Sequence, residues 1–469
     1  MGDVVTEDVL VAGIDSSTQS TKVLLVRAVD GTVVGEASAP HPAGTEVDPR
    51  LWWEALQQAG SGLLERASAI AVGGQQHGMV ALDAAGAVVR PALLWNDLRS
   101  APQIAEVVGH LGGPRECAAT IGSVPAASFT VTKLRWMAEN EPANAARTAA
   151  VLLPHDWLTW MLAGGPGSGA EMTTDHGDAS GTGYYSPAGR AWLPAVAQWA
   201  IGGGDRRLVL PRLAEPSEVV GRTASGAALG AGTGDNMAAA LGLGLRAGDV
   251  AVSIGTSGTA FCVTDAPAAD PTGSVAGFAD ATGRYLPLVA TVNAARVLAV
   301  VGNLMGVEHA ELADLALSAP AGAGGLTLLP YLDGERTPNR PHATGVLRGL
   351  TSTVTRADLA RAAVEAVLCS LADAVDALGV SPERVVMIGG AARNPAIAQL
   401  APAIIGADVL VPAAAEYVAL GAARQAAWAL AGTAQPPTWP VADARVFTAE
   451  PAPAVRAQYG VLRDATVGW

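Results

Sequence analysis

A chain of 469 residues, half of them hydrophobic and only 15% charged, is long enough for two or more domains with separate cores and shows no signature of disorder. Its net charge of −14 leaves no basic face to meet phosphates, which argues against a nucleic-acid partner. Only two of its residues are lysine, Lys22 and Lys133, and neither follows glycine. A Walker A loop and the Val-Ala-Ile-Lys strand of protein kinases are therefore excluded, and any nucleotide phosphates must be held by another route.

Cys117, Cys262 and Cys369 are odd in number, far apart and set in apolar surroundings, as reduced structural thiols are. No metal-ligand spacing of His, Cys or carboxylates occurs, so structural zinc is not expected. Residues 1–8 carry neither a basic nor an apolar leader segment, and no run reaches the ~18 apolar residues of a membrane span. A soluble, cytoplasmic protein is expected.

In chain order, residues 9–14 read as an apolar strand ending at Asp15. The polar turn Asp15-Ser-Ser-Thr-Gln-Ser-Thr-Lys22 leads to a second strand at 23–29, and Asp30-Gly31 signals a hairpin into a third strand at 32–36. A loop and a helix starting near Leu51-Trp-Trp-Glu54 follow. Another strand at 68–73 runs into Gly73-Gly-Gln-Gln-His-Gly-Met79. Residues 95–154 look helical with loops, 152–162 form an apolar helix, and the Gly/Ser/Thr-rich stretch 164–183 reads as one long loop. Trp52, Trp53, Trp157 and Trp160 are read as core residues. Gly232-Thr-Gly-Asp-Asn236 is a tight glycine turn feeding an apolar run.

Asp249-Val-Ala-Val-Ser-Ile-Gly-Thr-Ser-Gly-Thr-Ala-Phe-Cys-Val263 repeats the opening logic of strand, small hydroxyl-and-glycine turn, strand. Only the first copy keeps an acid, Asp15, where the second has Gly255. A duplicated architecture follows, with domains at 1–246 and 247–469. The later half supplies a helix opened by the capping box Thr355/Asp358, with Leu359, Ala363, Val367, Leu371, Val375 and Leu378 on one face and Gly379 ending it. A strand at 385–388 enters Gly389-Gly-Ala-Ala-Arg-Asn-Pro395. A helix from 396, a strand at 409–411 and a helix at 417–430 then complete an α/β pattern whose ligands belong at strand ends.

Each polar turn admits two readings. In the first, Ser16, Ser17 and Thr18 and their N–H groups suit phosphate oxygens, with Asp15 placed to hold Mg²⁺ through water; such residues also build plain hairpin turns. Gly255-Thr-Ser-Gly258 has the same two readings and fails as a hydrolase elbow, since Thr259 stands where that motif needs Gly. Gly389, Gly390 and Asn394 suit an adenosine or merely start a helix. Gln75-Gln-His-Gly78 suits gripping a polyol, or His77 is a structural partner. Asp235 is a helix cap or a general base.

Taken together and in order, these residues resemble the FGGY carbohydrate kinase family. The resemblance runs nearly end to end. It covers Gly13-Ile-Asp-Ser-Ser-Thr-Gln-Ser-Thr-Lys22, His41-Pro42, Glu46-Val-Asp-Pro-Arg-Leu-Trp-Trp-Glu54, Gln76-His-Gly78 and Leu94-Trp-Asn-Asp-Leu-Arg99. It continues through Thr130-Val-Thr-Lys-Leu-Arg-Trp136, Ser180-Gly-Thr-Gly-Tyr-Tyr185, Gly232-Thr-Gly-Asp-Asn236, Gly255-Thr-Ser-Gly258, Pro330-Tyr-Leu-Asp-Gly-Glu-Arg-Thr-Pro338 and Gly389-Gly-Ala-Ala-Arg-Asn394.

The resemblance implies an actin-like ATPase fold, two RNase-H-like α/β domains flanking a catalytic cleft, with ATP and Mg²⁺ as cofactors and a sugar as substrate. It implies Asp235 as the base, Asp15 as the metal-organising acid, and Gln76, His77, Asp235 and Asn236 at the sugar. Ser16, Ser17, Thr18, Lys22, Gly255 and Thr256 would lie near the phosphates, and Gly389, Gly390 and Asn394 at the adenosine. The expected reaction is phosphorylation of the terminal hydroxyl of D-xylulose. Where many family members acting on that sugar have Gln-Met-His-Gly, this chain has Gln75-Gln-His-Gly78, so ribulose, arabitol or glycerol stay open as substrates. A homodimer is compatible with the sequence. Two rival readings fit less well. Chaperone and filament ATPases share the fold, but here no peptide-binding domain is appended. A dehydrogenase reading of Gly230-Ala-Gly-Thr-Gly234 fails the Gly-x-Gly-x-x-Gly spacing.

Overall fold

The computed structural model describes residues 9–204, 207–440 and 443–468; residues 1–8, where no leader segment is expected, lie outside the described residues. The chain divides into two compact units that are not contiguous in sequence. The first comprises residues up to Gly244, joined by Thr264–Leu286 and Ala415–Pro440, and the second contains Leu245–Val263, Pro287–Ala414 and the C-terminal segment.

In the first unit, Leu10–Ser16 pairs antiparallel with Ser20–Arg27, which pairs with Val33–Pro40. On its other side Leu10–Ser16 runs parallel to Ala69–Gly74, and Thr233–Gly234 runs parallel to that strand in turn. The third strand extends past its expected end at residue 36 because Ser20 pairs with Pro40, so the whole second strand is matched. Proline at an edge-strand end leaves no ladder donor missing. The hairpin turn is set by Gly31, at φ 74°, and by Asp30 Oδ1 accepting the Thr32 N–H at 2.9 Å.

Both faces of this sheet are buried, which is why its central strands are apolar throughout. Ala12, Ile14, Val23, Leu25, Ile70 and Val72 pack with Trp52 and Leu56 of the helix Pro49–Gly60 and with Trp157 and Trp160 of Pro154–Leu162. Val11, Leu24, Val26, Ala69 and Ala71 pack on Ala419, Ala422, Ala423 and Ala426 of Tyr417–Ala431. That helix reads in sequence as part of the C-terminal α/β run, yet it covers the first sheet. Its small side chains let backbones nearly touch. A Cβ on Gly13 would lie 1.8 Å from the Ala419 carbonyl oxygen, and one on Gly421 would lie 1.8 Å from that of Ala238 in the helix Asp235–Leu243.

The stretch 164–183, expected as one loop, is only partly so. Thr173–Thr174 pairs with Arg212–Leu213, and His176–Ala179 forms a helical turn capped by Asp175, whose carboxylate accepts the N–H groups of Gly177 and Asp178. Burying this polar stretch is possible because its own acids satisfy its backbone.

The second unit repeats the opening plan. Asp249–Ile254 pairs antiparallel with Gly258–Cys262 and parallel with Arg384–Ile388, followed by Val409–Val411 and Arg445–Phe447. The helix Arg356–Ala377 opens on the reciprocal Thr355/Asp358 box and is buried along most of its length. Cys117, Cys262 and Cys369 are all buried free thiols. Among the described residues no helix is long and apolar enough to cross a membrane.

Candidate active site

Three parallel strands of the first unit end side by side. Asp15 pairs with Gly73, Ser16 with Gly74, Thr233 with Gly73 and Gly234 with Gly74. The chain therefore delivers the Asp15–Lys22 turn, the Gln75-Gln76-His77 segment and the Asp235-Asn236 pair at one edge of the sheet. The carboxyl ends of parallel strands are where α/β sheets bind ligands.

Asp15 is buried, its Oδ1 accepting the Ser17 hydroxyl at 2.5 Å. Burial pushes its pKa up to about 6, against the pull of Ser17 and Lys22 and with a further push from Glu416. Lys22 Nζ lies 3.9 Å from Asp15 Oδ2 and 2.6 Å from Glu416 Oε2, so the one lysine of the turn is shared between two acids. Thr18 is held in the turn by Trp95, whose indole N–H donates to the Thr18 hydroxyl at 2.8 Å. His41 braces the same turn through the Ser17 carbonyl at 2.9 Å and the Thr21 hydroxyl at 2.8 Å. Ser17 and Thr18 are partly exposed, whereas Ser16 belongs to the strand and its hydroxyl is buried.

Asp235 is the first residue of its helix and follows the cap position, Gly234. Its Oδ1 accepts from both the backbone and the side-chain amide of Asn236, at 2.8 and 2.9 Å. Asn236 also donates to Gln76 Oε1 at 3.0 Å, tying the second and third strand ends together. Burial, and then the charge of Asp15, push the Asp235 pKa up to about 7, although the bonds from Asn236 oppose this. A carboxylate with that proton affinity near neutrality is poised to take up and release a proton.

His77 sits in left-handed backbone at φ 65°. Its Nδ1 lies 2.7 Å from the Gly181 carbonyl, which can only accept, so Nδ1 carries the proton. The ring stacks on Phe129, 4.9 Å between centroids, with Phe278 at 5.9 Å. The His77 carbonyl accepts from Thr130 and from the fully buried Lys133, which also donates to the Ser128 carbonyl. Burial pulls the Lys133 pKa down to about 7.

Under the strand ends lies a buried cluster that sequence reading missed: His155, Asp156, Asp175 and Asp178. His155 Nδ1 is 2.7 Å from Asp178 Oδ2, and its Nε2 is 3.1 Å from Asp156 Oδ1. Burial would lower the His155 pKa, but the surrounding acids raise it to about 9. Scattered over 24 positions as helix-start and loop polar residues, these four give no local signal. Pro154-His-Asp156 inside an apolar stretch is the one hint.

In the second unit, Gly255 and Thr256 form an exposed turn after the strand, with the Gly255 and Thr256 carbonyls accepting from Ala295 and Ala294. Gly389, at φ 91°, abuts that strand so closely that a Cβ would lie 2.6 Å from the Ile254 carbonyl oxygen. Gly390 and Asn394 line a cleft of about 430 Å³ together with Leu298, His309, Arg393 and Pro395. Asn394 Oδ1 caps the helix Pro395–Ile405 through the Ala396 and Ile397 N–H groups. The predicted residues thus gather into one group on each unit. Among the described residues, no three His, Cys, Asp or Glu side chains are placed to hold a metal alone.

Residues 10–244 match the model for the FGGY family of carbohydrate kinases, N-terminal domain, and residues 250–430 match that for the C-terminal domain. A xylulose kinase of Streptomyces coelicolor is 47% identical over 91% of this chain and 89% of its own length, and one of Streptomyces rubiginosus is 46% identical with the same coverage. The crystal structure of xylulose kinase from Bifidobacterium adolescentis superposes with a TM-score of 0.92 at 44% identity, over 98% of this chain and all of that one.

Proposed function

The chain belongs to the FGGY family of carbohydrate kinases, with the actin-like ATPase fold of that family, and from this premise we propose that it transfers the γ-phosphate of ATP to the terminal hydroxyl of D-xylulose, giving D-xylulose 5-phosphate. The observation that carries the chemistry is the Asp235 carboxylate, raised to about 7 and bonded through Asn236 to Gln76. The names and identities of the two Streptomyces relatives support the choice of sugar.

Asp235 takes the proton of the sugar hydroxyl as its oxygen attacks phosphorus. Gln76, His77 and Asn236 hold the sugar, and the strained backbone of His77, pinned by Lys133 and Thr130, fixes where that ring stands. We assign the phosphates to Ser16, Ser17, Thr18 and Lys22 and to Gly255 and Thr256, and the adenosine to Gly389, Gly390 and Asn394. Mg²⁺, when bound, supplies charge neutralisation at phosphate oxygens. The residues fit that ion: Asp15 supplies one carboxylate beside the Ser17 hydroxyl, enough for a cation that keeps most of its water and phosphate ligands. Phosphoryl transfer asks for positioning and charge compensation rather than covalent catalysis, and the chain supplies both. We assign residues 1–246 the sugar site, first phosphate turn and base, residues 247–469 the second turn and adenosine site, and the protein to the cytoplasm.

The second reading, another ketopentose or polyol, rests on Gln76, a polar side chain where methionine is common among the family's xylulose enzymes. A coupled ADP-release assay over D-xylulose, ribulose, arabitol and glycerol separates the two. D-xylulose should give the highest kcat/KM. A higher value on any other sugar would transfer the assignment to it, and no turnover on any of them with ATP binding intact would end it.

A further inference from the structure

The buried acids beneath the strand ends have no part in the chemistry above, yet they touch the turn that carries it. His155 packs its ring against Gly232, at the start of the strand Thr233–Gly234, and its backbone and Cβ against Gly74, at the end of Ala69–Gly74. A Cβ on Gly232 would lie 2.5 Å from His155 Cδ2, and one on Gly74 would lie 2.9 Å from His155 Cβ. Asp178, Asp156 and Asp175 approach the ring nitrogens at 2.7, 3.1 and 3.8 Å, and all four residues are buried. Asp175 faces both ways. One oxygen accepts the Asp178 N–H, and the other accepts the Gly177 N–H and the Thr233 hydroxyl, the latter at 2.6 Å. Thr233 is itself buried, pairs with Gly73, and stands two residues before Asp235.

We propose that Thr233, anchored through Asp175 to the His155–Asp178 cluster, is a positioning residue that fixes where the Asp235 carboxylate stands. This rests on the reading of Asp235 as the base. A buried ionic cluster contributes little net stability compared with an apolar replacement of the same volume. What it supplies is direction: charge-assisted hydrogen bonds with set angles in a dry interior. The Thr233 side chain converts that rigidity into a fixed pitch for Gly232–Asp235, a turn that has no side chain of its own at positions 232 and 234. The charged groups near this turn are Asp175, Asp178, Asp156 and His155 from below and Asp15 from the end of the strand beyond Ala69–Gly74.

The test compares Thr233→Val, which keeps the shape and loses the hydroxyl, with Thr233→Ser, which keeps the hydroxyl, and Asp235→Asn as reference. All are assayed for kcat and sugar KM on the full chain, with thermal midpoints as a check on folding. Thr233→Val should lower kcat about 10- to 100-fold, the cost of misplacing a catalytic group by an ångström. KM for the sugar should stay within about twofold, and Thr233→Ser should restore most of kcat. Unchanged kcat in Thr233→Val, equal losses in both variants, or a rise in KM alone would each overturn the inference. Should Asp235→Asn keep full activity, the assignment of the base itself fails; should only Asp235→Asn be inactive, the inference falls and the base stands.

Discussion

Gly421→Ala places a methyl group where two helices meet at backbone distance. The new Cβ would lie 1.8 Å from the Ala238 carbonyl oxygen and 2.9 Å from the Gly242 nitrogen. Ordinary carbon–oxygen contacts stand at about 3.3–3.6 Å, so the helices must separate by about 1.5 Å. Alanine is intrinsically the better helix residue by about 1 kcal/mol. Forced repacking of a filled interior costs about 1–3 kcal/mol or more. The steric cost wins, and the thermal midpoint should fall by several degrees, at about 2–4 °C per kcal/mol for a unit of this order of size.

The partner helix, Asp235–Leu243, begins with the proposed base, so its displacement should also lower kcat by up to about 100-fold. Thermal melts and the coupled ADP assay report the two effects separately. Gly109→Ala serves as control, since Gly109 lies in the helix Ile104–His110 and its Cβ would meet nothing within 4 Å. That change should stabilise by about 0.5–1 kcal/mol. Wild-type stability in Gly421→Ala would refute the packing argument. Lost stability with unchanged kcat would show that the helix does not set the position of Asp235.

Asp235→Asn should cut kcat about 10²- to 10⁴-fold, while the wild-type rate should fall as pH drops through about 7 and the base gains its proton. Because the folded pKa is raised from 3.8, the folded state holds that proton more tightly than the unfolded chain. The associated stability is present at low pH and lost as pH rises through about 7. Asp235→Asn should therefore gain in melting temperature over wild type between pH 4 and 8, and a constant difference would contradict the raised pKa. Lys133 has the complementary sign, its folded pKa lowered from 10.5 to about 7. The unfolded chain binds the extra proton across that window, so stability is lost as pH falls from 10.5 to 7. The melting temperature of Lys133→Met relative to wild type should rise as pH is lowered through it, and a flat difference would contradict the lowered pKa.

The turns that carry the site were legible because each is local. A glycine, a hydroxyl or an acid directly after an apolar run says where a strand stops, and Asp15, Gln76, Asp235, Gly255 and Gly389 all sit at such stops. The Thr355/Asp358 box was equally plain. What could not be read is what depends on distant partners. The alanine and glycine face of Tyr417–Ala431 announces a buried helix but not which sheet it covers, and that answer lies some four hundred residues upstream at Gly13. Asp175 and Asp178 look like loop polar residues until His155 is beside them. In 164–183, where composition suggests a loop, the buried part from Thr173 onward satisfies its backbone through the Asp175 carboxylate and the Ser180 and Thr182 hydroxyls.

The covering of the first sheet by Tyr417–Ala431 also has a temporal side. A ribosome that has released residues up to Gly244 has made every strand of that sheet but not its lid. The apolar face built from Val11, Leu24, Val26, Ala69 and Ala71 must wait until Ala431 has emerged, roughly 10–40 s later at about 5–20 residues per second. During that interval the nascent chain presents a hydrophobic surface to chaperones and to its neighbours. A fragment cut after residue 246 would present it permanently, however complete its strands.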